Sequence, residues 1–193
     1  MDDELLNLFS EFPSLNEQEI KAISENIVVR TFKKGTILLK EGQVSKECYS
    51  VLKGCIRQYY IINGDEKTTA FFIEGEAVAS FSSYVNEIPS KHYLVCVEDC
   101  SLTVGTKEKE IEMISKFPKL EPIIRSEMEK NAGKAQEELS FFITSSPEER
   151  YINLIKNRPK LLNRVPQHQI ASFLGIKPES LSRLRKRILS KKE

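Results

Sequence analysis

"IVVRTFKKGTILLKEGQVSKECYSVLKGCIRQYYIINGDEKTTAFFIEGEAVAS", residues 27–80, is interrupted by Gly35, Gly42, Gly54, Gly64 and Gly75, with β-branched and aromatic runs between them. Turn signals at spacings near ten residues read as several short antiparallel strands in a roll or barrel. Inside the stretch, "INGDEK" (62–67) carries Asn63-Gly64, the strongest short hairpin signal. A further pair of strands is expected at Tyr93–Val97 and Ser101–Thr106.

On either side of this stretch the period becomes helical. Residues 5–26 place Leu5, Leu6, Leu8, Phe9, Ile20 and Ile23 at helical spacing, and Ser14 three residues before Glu17 suggests a capping box. In "FPKLEPIIRSEMEKNAGKAQEELSFFITS" (117–145), Leu120, Ile124, Met128, Ala132, Ala135, Leu139 and Phe142 form one stripe. Such a stripe admits internal core or a subunit seam, and Ala132, Gly133 and Ala135 would let a second helix approach closely. Another helix follows, with Ser146 as N-cap, Pro147 at its first position and Glu148 and Glu149 in its first turn. The expected division is 1–118, a roll with N-terminal helices; 119–145, a long helix; and 146–193, a C-terminal helical domain. The fold class is α+β.

Composition narrows the function classes. With 40% hydrophobic and 30% charged residues the chain has the balance of a globular protein. No apolar run approaches the roughly 20 residues that span a bilayer, and "MDDELLNLFS" lacks a signal peptide's basic start, so a cytoplasmic protein without membrane contact is expected. Cys48, Cys55, Cys96 and Cys100 form no CxxC and have only His92 and His168 beside them, which excludes a recognisable metal pattern. Reduced, mostly buried thiols are expected, a redox role for Cys96 and Cys100 being the weaker alternative. No Ser-His-Asp, Cys-His, paired-carboxylate or phosphate-loop arrangement stands out, so no enzyme is expected.

Charge is segregated. Residues 160–193 hold nine Lys/Arg against two Asp/Glu, a net of +7, whereas the remainder, twenty against twenty-six, carries −6. A basic module on an acidic body points to a polyanion partner for one end. That end reads "VPQHQIASFLGIKPESLSRLRKRI" (165–188). Ala171 is small where two helices must cross, Gly175 falls at the turn, Ile176 plugs the corner and Pro178 suits a first helical position. Leu181, Leu184 and Ile188 make the inward stripe of the second helix, leaving Glu179, Ser180, Ser182, Arg183, Lys186 and Arg187 on its other faces. This is the pattern of a helix-turn-helix facing double-stranded DNA. Paired DNA-reading modules require two-fold symmetry, which favours a homodimer seam for the 119–145 stripe.

"FKKGTILLKEGQ" (32–43), "YSVLKGCIRQYY" (49–60), "FFIEGEAV" (71–78) and the helix-turn-helix segment together resemble the Crp/Fnr family of bacterial transcription regulators, in order and spacing as well as residue type. The resemblance implies a cyclic-nucleotide-binding-like β-roll, a long dimerisation helix and a C-terminal helix-turn-helix domain. It implies that recognition helix 178–190 reads an inverted repeat, and that an activator would also contact RNA polymerase. Glu179 and Arg183 occupy the family's base-reading positions, where an Arg fork suits guanine and a carboxylate suits the cytosine amine. Pro178 stands where the cyclic-AMP receptor protein has an arginine, so the half-site should differ. Ser180, Ser182, Lys186 and Arg187 are candidates for phosphate contacts.

In the nucleotide cassette the chain departs from the family. Where the family has Gly-Glu-Leu and, further on, an Arg-Ser/Thr pair, this chain reads Ala79-Ser80-Phe81 and Ser90-Lys91-His92. The ribose-binding carboxylate is gone, and Ser90 replaces the arginine that pairs with the cyclic phosphate. No cofactor and no response to cyclic AMP are expected, and the effector, if one exists, is unidentified. Phe81, Tyr84, Lys91, His92 and Tyr93 are candidate lining for an altered pocket. No cysteine precedes Cys48 for an iron–sulfur sensor, and the two histidines offer no clear haem pair. The competing class is a small-molecule sensing module that regulates a protein partner.

Overall fold

The computed structural model describes residue 5 and residues 15–190. Leu6, Leu8, Phe9, Ser14, Lys191, Lys192 and Glu193, named above or carried in the basic tail, lie outside the described residues. Helix α1 (Glu17–Ser24) begins at Asn16, whose side chain accepts from the Glu19 N–H at 2.9 Å while the Glu19 carboxylate accepts from the Asn16 N–H at 2.9 Å. The capping box seen here is Asn16–Glu19; the expected partner Ser14 lies outside the described residues. Asn is as good an N-cap as Ser, and a Glu stands three residues after it.

Eight strands follow: β1 (Val28–Phe32), β2 (Ile37–Leu39), β3 (Cys48–Lys53), β4 (Ile56–Ile62), β5 (Asp65–Phe72), β6 (Ala77–Val78), β7 (Tyr93–Cys96) and β8 (Cys100–Gly105). They form two four-stranded antiparallel sheets, ordered β1-β8-β3-β6 and β2-β7-β4-β5. The β4–β5 hairpin turns at Asn63 (φ 53°) and Gly64 (φ 84°), with Ile62 opposite Asp65, as the Asn-Gly pair required. Strands β7 and β8 form where expected but pair with different sheets, because residues 97–99 carry the chain from one layer to the other. Between the layers Val51, Ile56, Val78, Leu94, Cys96 and Leu102 are almost wholly buried. Short helix α2 (Phe81–Asn86) lies in the cassette, and α3 (Lys107–Lys116) follows the roll; neither is long enough to impose a clear period on the sequence.

Helix α4 (Leu120–Thr144) runs 25 residues. Its first turn belongs to the chain's own core: Leu120 is buried with Leu5, Leu15, Ile23 and Leu52, and Ile124 is partly buried against them. From Glu129 to Thr144 every residue is exposed. Four helices follow: α5 (Pro147–Asn157), α6 (Leu161–Arg164), α7 (Gln167–Phe173) and α8 (Pro178–Ser190). Ser146 caps α5 in a capping box with Glu149. Tyr151, Leu154, Leu161, Ile170, Leu174 and Leu181 form a second core, which also takes in Cys55, Phe71 and Val97 from the outward face of the second sheet. The C-terminal helices are thus packed onto the roll. Among the described residues no helix is long and apolar enough to cross a membrane.

Candidate nucleic-acid interface and the altered cassette

The α7–α8 corner is built from local chemistry. Ala171, fully buried, has no side chain beyond Cβ and allows the two helices to meet. Helix α7 ends in a Schellman arrangement: the Gly175 N–H donates to Ser172 O and the Ile176 N–H to Ala171 O, both at 3.0 Å. Gly175 takes φ +71°, and a Cβ there would lie 3.1 Å from the Phe142 ring. Ile176 then packs on the core. Pro178 opens α8, where its missing N–H has no helical partner to lose.

On α8, Leu181 and Leu184 are buried and Ile188 is half-buried. Glu179, Ser182, Arg183, Lys186 and Arg187 are exposed and Ser180 is half-buried. Arg183 Nη2 donates to Ser180 Oγ at 3.3 Å, and no ion pair joins Glu179 to Arg183, so the carboxylate and the guanidinium are not tied to each other. Arg187 instead pairs with Glu148 at the start of α5. The candidate DNA-contacting side chains therefore share the outward side of one helix, with one of them already engaged.

The corner is also held from the long helix, through residues that helical spacing assigned elsewhere or passed over. Arg150 Nη1 donates to the carbonyls of Phe142 (2.8 Å) and Ser145 (3.0 Å), satisfying the end of α4, and its guanidinium stands 4.3 Å over the Phe142 ring. Phe142, expected at a subunit seam, is thus engaged within its own chain, as is Leu120. Met128, Ala132, Ala135 and Leu139 remain exposed, Leu139 at 60%, together with Phe141 and Ile143, which the stripe did not include.

Ion pairs tie the C-terminal helices to the roll. Arg164 grips Glu74 with two nitrogens (2.7 and 2.9 Å) and also reaches Glu98. Arg158 donates to Phe71 O (2.8 Å) and to Glu76 (2.6 Å). These pairs span more than sixty residues of sequence, and no local pattern announces them.

In the cassette both substituted positions are buried. Ser80 and Ser90 are each 3% exposed and their hydroxyls lie 3.2 Å apart, hydrogen-bonded to one another. Where the resemblance implies a carboxylate and a guanidinium, this chain has two neutral hydroxyls bonded to each other, with Ser90 also donating to His92 O at 3.0 Å. The five candidate lining residues do not converge. Phe81 and Lys91 are exposed, and Tyr84 is buried beside Cys48. His92 packs against Tyr60 at 5.4 Å, with burial lowering its pKa. Tyr93, the first residue of β7, stacks instead on Tyr59 at 4.8 Å, and Tyr59 and Tyr60 are neighbours on β4 whose side chains alternate across the sheet. The thiols are free, and Cys55, Cys96 and Cys100 are buried. Burial pushes Cys55 up to about 12, which keeps it a thiol.

Residues 29–117 match the cyclic nucleotide-binding domain family. The chain is 25% identical over 184 residues to the fumarate and nitrate reduction regulatory protein of Vibrio cholerae, covering 89% of this chain and 73% of that one. Its fold is similar to that of FixK2 from Bradyrhizobium japonicum (TM-score 0.72, 13% identity, covering 86% of this chain and 85% of that one). It is also similar to that of the Thermus thermophilus catabolite activator protein (TM-score 0.57, 22% identity, covering 95% and 87%).

Proposed function

We propose that this chain, which belongs to the Crp/Fnr family of transcription regulators, is a cytoplasmic, homodimeric, sequence-specific DNA-binding protein that does not answer to cyclic AMP. The observation that carries the reading is α8 itself. Its Leu181 and Leu184 are buried in the core they share with α7, while Glu179, Ser182, Arg183 and Lys186 stand exposed on a basic helix. In this reading α7 and α8 are the helix-turn-helix, residues 146–193 are the DNA-binding domain, and residues 1–118 are the effector-type roll. Arg183 and Glu179 read base edges while Ser180, Ser182 and Lys186 meet phosphates. Arg187 meets phosphate after exchanging Glu148 for it.

The exposed run of α4 supports a seam between two copies through Met128, Ala132, Ala135 and Leu139. A β-carbon at Gly133 would meet nothing within 4 Å, so that surface is open. Two-fold pairing there would present the two α8 helices to major grooves about 34 Å apart on an inverted repeat. The Ser80–Ser90 pair supports indifference to cyclic AMP. A phosphate entering the cassette would have to break a buried hydrogen bond and would find no guanidinium in return. An effector of another kind would act by favouring one packing of α4 over another. RNA polymerase is a further partner if the protein activates.

The test is selection of the purified full chain against a random duplex pool, with and without cyclic AMP. The same inverted repeat in both arms is the expected result. Enrichment only with the nucleotide would overturn the reading of the cassette, and no enrichment in either arm would overturn sequence-specific binding by the free protein.

A further inference from the structure

We infer that Arg57, a buried cation in the middle of β4, is the positioning residue that fixes helix α7 on the roll and so sets where α8 stands. Arg57 is 3% exposed. Its Nε donates to Thr68 Oγ1 at 2.8 Å and its Nη1 to Glu66 at 2.6 Å. Glu66 and Thr68 are also the residues whose main chain holds α7. The Thr68 N–H donates to Ser172 Oγ at 2.9 Å, and the Ser172 hydroxyl donates to Glu66 O at 3.1 Å. One guanidinium thus holds the two side chains, and one hydroxyl from α7 holds the two backbones, of the same short stretch of β5.

The sheet makes this possible. Strand β5 is the last in its sheet, and its register against β4 slips between Gln58 and Tyr59, so that Gln58 faces Ala70 and Tyr59 faces Thr68. At such an irregularity an edge strand has main-chain groups directed away from the ladder, and their position depends on what braces the strand. Arg57 is that brace. A guanidinium taken out of water demands its partners, so Glu66 and Thr68 are held to it. Beneath it the Tyr59 ring lies 4.5 Å away, and Tyr59 in turn stacks on Tyr93, the first strand residue after the cassette loop. Contacts therefore run unbroken from Tyr93 through Tyr59, Arg57 and Thr68 to Ser172. Docking of α7 leaves the outward side of α8 open, so the docked arrangement is the one that presents the helix. That last step rests on the DNA-binding reading; the docking itself does not.

Amide hydrogen exchange on the full chain tests the docking. In Arg57→Met, the Thr68 amide and those of residues 170–174 should exchange about tenfold faster or more, while β1 and β8 stay protected. Ser172→Ala should do the same. Because both act on one contact, the double variant should exceed the larger single effect by less than about twofold. Glu66→Gln alters a half-exposed carboxylate, should leave the fold intact and should move the α7 amides in the same direction. It decides the matter if Arg57→Met unfolds. Unchanged α7 amides in Glu66→Gln, or additive effects in the double variant, would overturn the inference. Ser172→Ala should also lower DNA affinity several-fold, and a rise would overturn the claim that the docked arrangement presents the helix. Wild-type protein that binds no DNA would sink the DNA reading alone, leaving the exchange results to stand or fall by themselves.

Discussion

Arg164 offers a direct measure of how strongly the roll and the C-terminal helices are joined. It is only 19% exposed and grips Glu74 through two nitrogens, and the Gly54 N–H donates to the same carboxylate at 2.9 Å. Burial acts to raise the Glu74 carboxyl, but the Arg164 guanidinium and backbone N–H groups outweigh it and hold it near 2, down from an ordinary 4.5. A folded-state pKa below the unfolded one contributes stability that is complete above about pH 4.5 and fades as pH falls towards 2. The full displacement would be worth about 3.4 kcal/mol. The Glu74 side chain is 42% exposed, and solvent screening brings the expectation to about 1–2 kcal/mol. Arg164→Gln should therefore lower stability by about that amount at pH 7, read from urea unfolding. More than half of the difference from wild type should vanish by about pH 3. Glu74→Gln, which removes the titrating group, should show the same loss of pH dependence. An Arg164→Gln penalty of equal size at pH 7 and pH 3 would refute the assignment to Glu74, and no penalty at pH 7 would show that the clamp joins nothing.

Gly175→Ala should cost about 1–2 kcal/mol by thermal unfolding, since its positive φ strains an L residue and the new Cβ would press on Phe142. Arg183→Ala should weaken binding to the selected repeat by about 1–3 kcal/mol and relax its sequence preference, whereas Lys186→Ala should weaken all duplexes alike and lower the salt dependence. Titration of both variants against matched and mismatched duplexes at two salt concentrations separates the roles. Leu139→Glu, at a side chain 60% exposed in the single chain, should turn the proposed dimer into a monomer in sedimentation velocity while the far-UV circular dichroism spectrum stays that of the folded protein.

What the sequence made legible was the part written in local chemistry. Asn63-Gly64 specified its hairpin because both residues accept positive φ, and Gly175 with Pro178 specified the end of α7 and the start of α8. The long stripe from Leu120 to Phe142 announced a helix, but not what its ends would touch. Leu120 lies in a core built with residues far back in the chain, and Phe142 lies between Arg150 and Gly175. The five cassette residues were grouped because they are near in sequence, yet His92 meets Tyr60 and Tyr93 meets Tyr59, which alternate across β4. Arg57 reads as an ordinary strand cation until β5 and α7 are folded over it. Pairings across such separations leave no period and no motif, only residue types that suit many partners.

The slipped edge of β5 has a consequence beyond the placing of α7. The free side of a terminal strand is a template on which another chain can add a strand, and folded proteins keep such sides bent or covered. Here the irregularity opposite Tyr59 bends it and Ser172 occupies two of its main-chain groups. Each time α7 lifts, that edge is bare. Any excursion that carries α7, and α8 with it, off the roll thus also opens the protein to self-association, and variants that loosen α7 should lose solubility on concentration before they lose their fold.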